Sequence, residues 1–186
     1  LMEQSTKNSE SVEGRLYNQE YRLYIMANYK LLGLGSNRFV LPNTWFKMSC
    51  RLFCKESTIK YSDKNPSAVW IFEPVVGRKN TFYLKNKKFD NEYLRGSKDH
   101  QELMYRTDNW AVWTSKKNLF DDELYMWKFD RIENTDDRYH IWNVKLGLPL
   151  YMRIFNGKNL PYMVSLKNGS MDYSENFEWV LKCLDD

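Results

Sequence analysis

Three segments of this chain begin alike and end alike, and this repetition constrains the fold more than any other feature. Residues 24–30, 82–88 and 139–145 share the order aromatic, any, aliphatic or Met, any, Asn, any, Lys. Each copy closes on a tripeptide that starts with Trp70, Trp127 or Trp179. The openings follow one another at 58 and 57 residues and the closings at 57 and 52, and a shared period of this size indicates one structural unit present three times.

Each unit is expected to contain four strands. In residues 81–86, Phe82 and Leu84 fall on one face and Tyr83 and Lys85 on the other, the alternation of a half-buried strand. Gly35-Ser36 and Gly96-Ser97 are predicted to end second strands. The predicted strands are 24–28, 31–34, 51–55 and 69–72 in unit one, 81–86, 93–95, 110–114 and 125–129 in unit two, and 139–143, 149–153, 162–166 and 177–181 in unit three.

Three four-strand repeats favour an all-β fold, the β-trefoil. First and fourth strands would form a six-stranded barrel, and the middle hairpins would cap one end; barrel closure removes exposed sheet edges. A β-sandwich also uses many short strands, but the threefold period favours the trefoil. The predicted interior consists of Tyr24, Met26, Phe82, Leu84, Tyr139, Ile141, Trp70, Phe72, Trp127, Phe129, Trp179 and Leu181.

The domain organisation follows from composition. Residues 1–19 are polar and are expected to form a flexible N-terminal arm. Residues 20–186 are predicted to form a single β-trefoil domain, with repeats at about 20–76, 77–134 and 135–184. A net charge of +4 is too small to indicate nucleic acid. No apolar stretch is long enough to predict a membrane span.

Catalytic motifs are missing from the sequence. It contains no HExxH, G-x-S-x-G or P-loop pattern. His140 is interpreted as a surface residue at an outward strand position, alongside Ile25 and Tyr83 in the other units. The cysteines Cys50, Cys54 and Cys183 leave two alternatives, three thiols or a disulfide from Cys183 to Cys50 or Cys54, and they lack a fourth ligand for a metal. We therefore expect no enzymatic activity, no cofactor and no metal.

Aromatic side chains exceed what the barrel and cap would consume. The chain has 13 Tyr, 10 Phe and 7 Trp, and Trp110, Trp113 and Trp142 fall at or beside outward positions. Exposed indoles stack on sugars while nearby carboxylates and amides bind the hydroxyl groups. In unit two this logic predicts a ligand site made of Asp90, Asn91, Trp113 and Asn118; packing in the cap explains Trp113 equally well.

Other recurring polar residues have ordinary explanations. The repeated Asn28, Asn86 and Asn143 are expected to bind backbone groups of the turns that follow them. The basic pairs Arg78-Lys79, Lys87-Lys88 and Lys116-Lys117 are compatible with a patch for sulfated polysaccharide. Scattered surface charge is the simpler interpretation of these pairs.

Two insect groups resemble this chain. Residues 83–94, with the sequence YLKNKKFDNEYL, resemble the trefoil repeats of insect low-molecular-mass lipoproteins. The three Trp-closed units resemble, over residues 20–184, the tryptophan-rich salivary proteins of culicine mosquitoes. That resemblance implies a secreted, salivary β-trefoil with a sugar-binding role. The Gln-x-Trp closing of ricin-type lectins is replaced by sequences such as Ala68-Val69-Trp70, which argues against a standard ricin-type galactose site.

The sequence thus favours a secreted, non-enzymatic protein that binds carbohydrate or a glycoprotein. The alternative is a protein-interaction module that acts on host haemostasis or immunity through its loops, with Trp45 and Phe46 in the enlarged 42–49 loop as anchors. A storage protein without a specific ligand is the third possibility.

Overall fold

The computed structural model describes residues 20–27, 30–37, 51–56, 66–89, 91–100, 109–117, 119–155, 158–164 and 177–183. These residues form strands and two short 3₁₀ helices, Pro66–Ala68 and Leu119–Tyr125, so the all-β prediction is confirmed. The strands are β1 (Glu20–Ala27), β2 (Lys30–Asn37), β3 (Arg51–Glu56), β4 (Trp70–Pro74), β5 (Thr81–Asn86), β6 (Glu92–His100), β7 (Asn109–Lys116), β8 (Met126–Arg131), β9 (Arg138–Asn143), β10 (Leu150–Phe155), β11 (Lys158–Val164) and β12 (Trp179–Cys183).

Six of the strands close into a barrel. β1 pairs with β4, β4 with β5, β5 with β8, β8 with β9, β9 with β12, and β12 pairs again with β1, always antiparallel. Closure gives every barrel strand a partner on both sides, so no edge is left open for pairing with another chain. The predicted six-stranded barrel is therefore confirmed.

The remaining strands form three hairpins, β2–β3, β6–β7 and β10–β11. β11 pairs with β7 and also lies against β3, so the hairpins contact one another. Their buried side chains belong to the same hydrophobic cluster as the barrel interior; they are Leu34, Leu94, Val112, Leu150 and Met152. The hairpins thus complete the core at one end of the barrel.

Aromatic rings fill the middle of the barrel. The Phe72 ring lies 5.0 Å from that of Tyr21, 5.5 Å from that of Phe82 and 5.1 Å from that of Phe129, centroid to centroid. The Phe129 ring in turn contacts Tyr139 at 5.9 Å. Tilted and edge-to-face pairs of this kind add about 0.5–1.5 kcal/mol each beyond the burial of their area.

The three closing tryptophans make one recurring contact. Each indole Nε1–H donates to a leucine carbonyl on a hairpin strand: Trp70 to Leu34 of β2 at 3.0 Å, Trp127 to Leu94 of β6 at 3.0 Å, and Trp179 to Leu150 of β10 at 3.1 Å. All three side chains are fully buried. A buried indole N–H needs an acceptor, and these bonds join barrel strands to hairpin strands.

The first strand of unit one was predicted in the wrong phase. Tyr21 pairs with Trp70 just as Phe82 pairs with Trp127 and Tyr139 with Trp179. The core therefore receives Tyr21, Leu23 and Ile25, whereas Tyr24 is buried outside this cluster with its ring 5.8 Å from the Lys182 ammonium. Ile25 is likewise a core residue and not an outward one; the side chain of Met26 lies outside the described residues. A one-residue shift reverses the face of every side chain.

The same phase error affects the repeated asparagine. Asn86 pairs with Trp70 and Asn143 with Trp127, but the residue that pairs with Trp179 on β1 is Ile25. Asn28 is therefore not the counterpart of the other two, and its own structure lies outside the described residues. Asn86 and Asn143 do bind the backbone around the following turns, as expected.

Two second strands extend past the glycines that were predicted to end them. β2 continues through Gly35 to Asn37, which pairs with Arg51. β6 continues through Gly96 to His100, and its register with β7 shifts between these two residues. A glycine inside a strand often accompanies such an irregularity, so the glycine at position 96 marks a bulge where the sequence suggested a turn.

Candidate ligand-binding groove

Trp142 is the tryptophan that the barrel turns outward. On β9 its neighbours Ile141 and Asn143 face the interior, so alternation directs the indole away from the core. It pairs with Lys128 of β8 on one side and with Pro149 on the other. Its side chain is half-buried and lines an open groove of about 540 Å³.

One wall of the groove is a row across three adjacent barrel strands. Thr81 of β5 pairs with Lys128 of β8, and Lys128 pairs with Trp142 of β9. Paired residues of antiparallel strands lie about 4.5–5.5 Å apart at Cα and project to the same face. The row therefore places a hydroxyl, an ammonium and an indole side by side, and Asp130 follows Lys128 on that face.

The turn between β4 and β5 brings Arg78 and Lys79 to the rim. The Arg78 amide donates to the Val75 carbonyl at 3.2 Å, and the Val75 amide donates to the Thr81 carbonyl at 2.9 Å. Gly77 adopts a φ of 79° and Asn80 a φ of 51°, conformations that these two residue types tolerate best. The Thr81 hydroxyl donates to the Lys79 carbonyl at 2.8 Å, which fixes the end of the turn.

The opposite wall of the groove is formed by the turn that follows β9. Asn143 is fully buried; its Nδ2 donates to the Leu124 carbonyl at 2.9 Å, and its Oδ1 accepts from the Leu146 amide at 3.1 Å. The Gly147 amide closes the turn on the Asn143 carbonyl at 2.8 Å, with a φ of 63° at the glycine. This wall is held by backbone and buried side-chain bonds, so the groove exists before any ligand arrives.

Three cations and one carboxylate line the groove. The Arg78 guanidinium lies 2.8 Å from the Glu123 carboxylate, and the Lys128 ammonium lies 3.8 Å from that of Asp130. The four side chains are between 43% and 54% exposed, and ion pairs this exposed contribute about 0–1 kcal/mol. Lys79 is exposed and has no ion-pair partner among the described residues. The groove therefore has a positive local potential.

His140 adds nothing to this positive charge at neutral pH. It pairs with Asp130 across β8 and β9 and is half-buried. Burial lowers the pKa of His140 below its ordinary value, and the carboxylates of Glu178 and Asp130 only partly oppose this. The imidazole is therefore mainly neutral at pH 7, in agreement with its interpretation as an ordinary outward residue.

The Trp142 indole N–H differs from those of the core tryptophans. Its Nε1 is buried yet has no hydrogen-bond partner within the described part of the chain. A buried donor that makes no hydrogen bond lowers the free energy of unfolding by about 1–3 kcal/mol. The indole N–H of Trp142 therefore does not stabilise the barrel, whereas those of Trp70, Trp127 and Trp179 do.

The structure describes only part of the ligand site that was predicted in unit two. Asn91 lies in an exposed turn with a φ of 57°, and the backbone of Trp113 pairs with Arg95. Asp90, Asn118 and the side chain of Trp113 lie outside the described residues. The four residues therefore remain a prediction.

A compact tyrosine–lysine cluster lies beside that region. The Lys117 ammonium sits 3.8 Å from the ring centroid of Tyr83 and 5.6 Å from that of Tyr93. The Tyr83 hydroxyl donates to Asp122, and the Tyr93 hydroxyl donates to Glu73 at 3.0 Å. Burial first, then the hydrogen bond to Asp122, raises the pKa of Tyr83 well above its ordinary value. Most of these groups are bonded to one another, although the Asp122 Oδ1 has no hydrogen-bond partner among the described residues, so the cluster mainly stabilises the surface and offers little for a ligand.

The basic pairs of the sequence have different surroundings. Lys87 pairs with Glu20 at 2.8 Å, Lys88 lies 5.5 Å from the ring centroid of Phe89, and Lys117 belongs to the tyrosine–lysine cluster. Arg78 and Lys79 alone among these residues line the groove. The alternation of residues in the sequence predicted that Trp142 points outward. No feature of the sequence predicted that the β4–β5 turn lies next to it.

The described ranges contain no group of three or more His, Cys, Asp or Glu side chains placed to hold a metal ion. Nor do they contain a helix long and apolar enough to cross a membrane.

No protein-family model and no curated protein sequence matches this chain. Solved structures do resemble it. A Culex salivary protein of the Cysteine and Tryptophan-Rich family superposes with a TM-score of 0.60 at 16% identity, over 89% of this chain and 94% of the other. A β-trefoil described as BEL gives a TM-score of 0.60 at 11% identity, over 90% of this chain and 94% of the other.

A lectin shows the same architecture. The Polyporus squamosus lectin, solved with a human-type influenza-binding epitope, gives a TM-score of 0.59 at 15% identity over 90% of this chain and 50% of the lectin. Likeness at such low identity shows the fold alone. Together with the closed barrel, these structures establish that the chain is a β-trefoil.

Proposed function

We propose that this protein is a secreted, non-enzymatic carbohydrate-binding protein and that the groove beside Trp142 holds the sugar. One observation carries the proposal: a half-buried indole lines an open groove of about 540 Å³ beside charged and hydroxyl groups. An aromatic face with a few placed polar groups is the usual composition of a sugar site. The likeness to a lectin and to a salivary protein supports the same reading.

The test is a glycan array followed by titration of the strongest ligand. We expect Trp142→Ala to weaken binding about tenfold or more, which corresponds to the loss of about 1.4 kcal/mol of stacking. Trp142→Phe keeps an aromatic face and should retain most of the affinity. If no glycan binds above background, or if Trp142→Ala binds like wild type, the groove is not the site.

The unit-two prediction supplies the second arm of that test. Asp90→Ala and Trp113→Ala should bind like wild type if the groove alone holds the sugar. If these variants lose binding while Trp142→Ala does not, the ligand belongs to Asp90, Asn91, Trp113 and Asn118. Either result would agree with carbohydrate binding, and the two results differ only in which residues form the sugar site.

Protein interaction remains the competing function. Residues 42–49, including Trp45 and Phe46, lie outside the described residues. A pull-down from host plasma distinguishes the two functions, because free sugar should elute a glycoprotein bound through its glycans and leave a partner bound through the loop. Secretion is checked by detecting the protein in the medium of cells that express the complete gene. The non-enzymatic part fails if a panel of glycosides, esters or nucleotides is hydrolysed in a manner that depends on a named acidic residue.

The proposal also includes three four-strand repeats as the evolutionary basis of the fold. The recurring bonds from Trp70, Trp127 and Trp179 to the three leucine carbonyls support it. A fragment of residues 77–134 that assembled into a trimeric trefoil would agree with this proposal, and a fragment that stayed unfolded at high concentration would weigh against it.

A further inference from the structure

We infer that the groove beside Trp142 selects glycans that carry an anionic group, a sulfate ester or a carboxylate, and that Lys79 and Lys128 recognise this group. The inference rests on the proposed function, since it concerns the same groove. It names the chemical class of the ligand, which stacking on an indole by itself does not determine.

The charges of the lining point to an anion. Of the three cations that line the groove, Arg78 is paired with Glu123 at 2.8 Å, and Lys79 and Lys128 face a single lining carboxylate, that of Asp130. Lys128 and Asp130 are separated by 3.8 Å, which is too long for a hydrogen bond. The Lys128 ammonium thus keeps unused donors, and Lys79 has no ion-pair partner within the described ranges. An arriving sulfate or carboxylate would gain charge-assisted hydrogen bonds without first breaking a strong one.

The strand register places a cation next to the stacking face. Lys128 and Trp142 are direct partners on β8 and β9, and Lys128 and Thr81 are direct partners on β8 and β5. A sugar ring that lies on the indole therefore has the Lys128 ammonium at its edge, where a ring substituent would project. Lys79 approaches from the adjoining turn, whose geometry the Thr81 hydroxyl fixes.

Two other lysines of the described surface are engaged by carboxylates. Lys87 binds Glu20 at 2.8 Å, and Lys117 is enclosed by the Tyr83 ring and Asp122. Lys88 and Lys182 each lie beside a single ring, that of Phe89 and that of Tyr24, whereas the groove places Lys79 and Lys128 together beside one indole. Selectivity should come from these lysines and not from the modest net charge of the whole chain, which is +4.

The experiment compares matched oligosaccharides that differ only in charge. Titration uses one oligosaccharide in neutral, sulfated and sialylated forms, with the wild type and with Lys79→Gln combined with Lys128→Gln. We expect the wild type to prefer at least one anionic form by about tenfold or more, with a preference that decreases as salt increases. The double variant should bind neutral and anionic forms within about twofold of each other. The sulfated and sialylated arms distinguish a sulfate ester from a carboxylate.

A charge-matched control separates the groove from general attraction. Lys87→Gln combined with Lys182→Gln removes the same total charge from exposed lysines outside the groove lining, and it should keep the full anion preference. An equal loss in this control would overturn the inference. So would equal wild-type affinity for a duplex DNA of the same charge, or equal affinity for the neutral and anionic sugars. The last outcome leaves carbohydrate binding standing, whereas absence of binding to every form overturns the proposed function as well.

Discussion

Replacing Trp127 by Phe is expected to lower the free energy of unfolding by about 2–4 kcal/mol. The indole is fully buried, and its Nε1–H donates to the Leu94 carbonyl at 3.0 Å. The phenyl ring would lose this bond, worth about 0.5–1.5 kcal/mol, and would leave a cavity where the larger ring packs. Chemical denaturation at constant m-value, followed by circular dichroism, measures the loss.

Trp142→Phe is the matched control for this substitution. It removes the same atoms from a tryptophan whose Nε1 has no hydrogen-bond partner among the described residues. We expect a change of less than about 1 kcal/mol, because no bond is lost, the ring is only half-buried, and removal of the unpaired donor offsets the contacts that are lost. Equal destabilisation by the two substitutions would contradict the assignment of Trp127 to the framework and of Trp142 to the groove.

Asn86→Leu is expected to destabilise the protein by about 2–4 kcal/mol although it keeps the number and branching of the side-chain heavy atoms. The Asn86 Nδ2 donates to the Ser67 carbonyl at 2.8 Å, and its Oδ1 accepts from the Lys88 amide at 3.0 Å and the Phe89 amide at 3.3 Å. The side chain is 1% exposed, so leucine would leave buried backbone groups without these partners. Thermal unfolding should show a decrease in Tm of roughly 5–15 °C.

Asn134→Gly serves as the control for Asn86→Leu. Asn134 is exposed in the turn between β8 and β9 and has a φ of 61°, which glycine adopts without strain. Its replacement should change stability by less than about 0.5 kcal/mol. A Tm for Asn86→Leu within one or two degrees of this control would mean that the asparagine bonds are replaced by water.

The threefold period was enough to predict the barrel, because equivalent positions must carry equivalent bulky side chains when one shell encloses one core. Trp70, Trp127 and Trp179 occupy matching places for this reason, and each also needs an acceptor for its N–H. The period was weaker within unit one, where Tyr24 and Asn28 imitate the opening of the other units by chance. Only the pairing of Tyr21 with Trp70 and of Leu23 with Leu181 reveals the true phase.

The candidate groove was harder to predict from the sequence than the barrel. The surplus of aromatic residues indicated a surface site, and alternation marked Trp142 as outward, but the sequence favoured Trp113 because unit two also offers Asp90, Asn91 and Asn118. Proximity along the chain is a poor guide to a site on a barrel, since residues on adjacent strands meet although many positions separate them. Lys128 and Trp142 are an example, and so are Lys79 and Trp142.

The amino-acid sequence by itself determined that this chain is all-β, with a closed shell built around recurring aromatic residues, because burial imposes a period that can be read directly. Tertiary structure alone decided the phase of the first strand and the meeting of Arg78, Lys79, Lys128 and Trp142 around one groove. Strand register decides both. In β1 both alternating sets of side chains include bulky apolar residues, Tyr21, Leu23 and Ile25 on one face and Tyr24 and Met26 on the other, so the local pattern does not select the buried face.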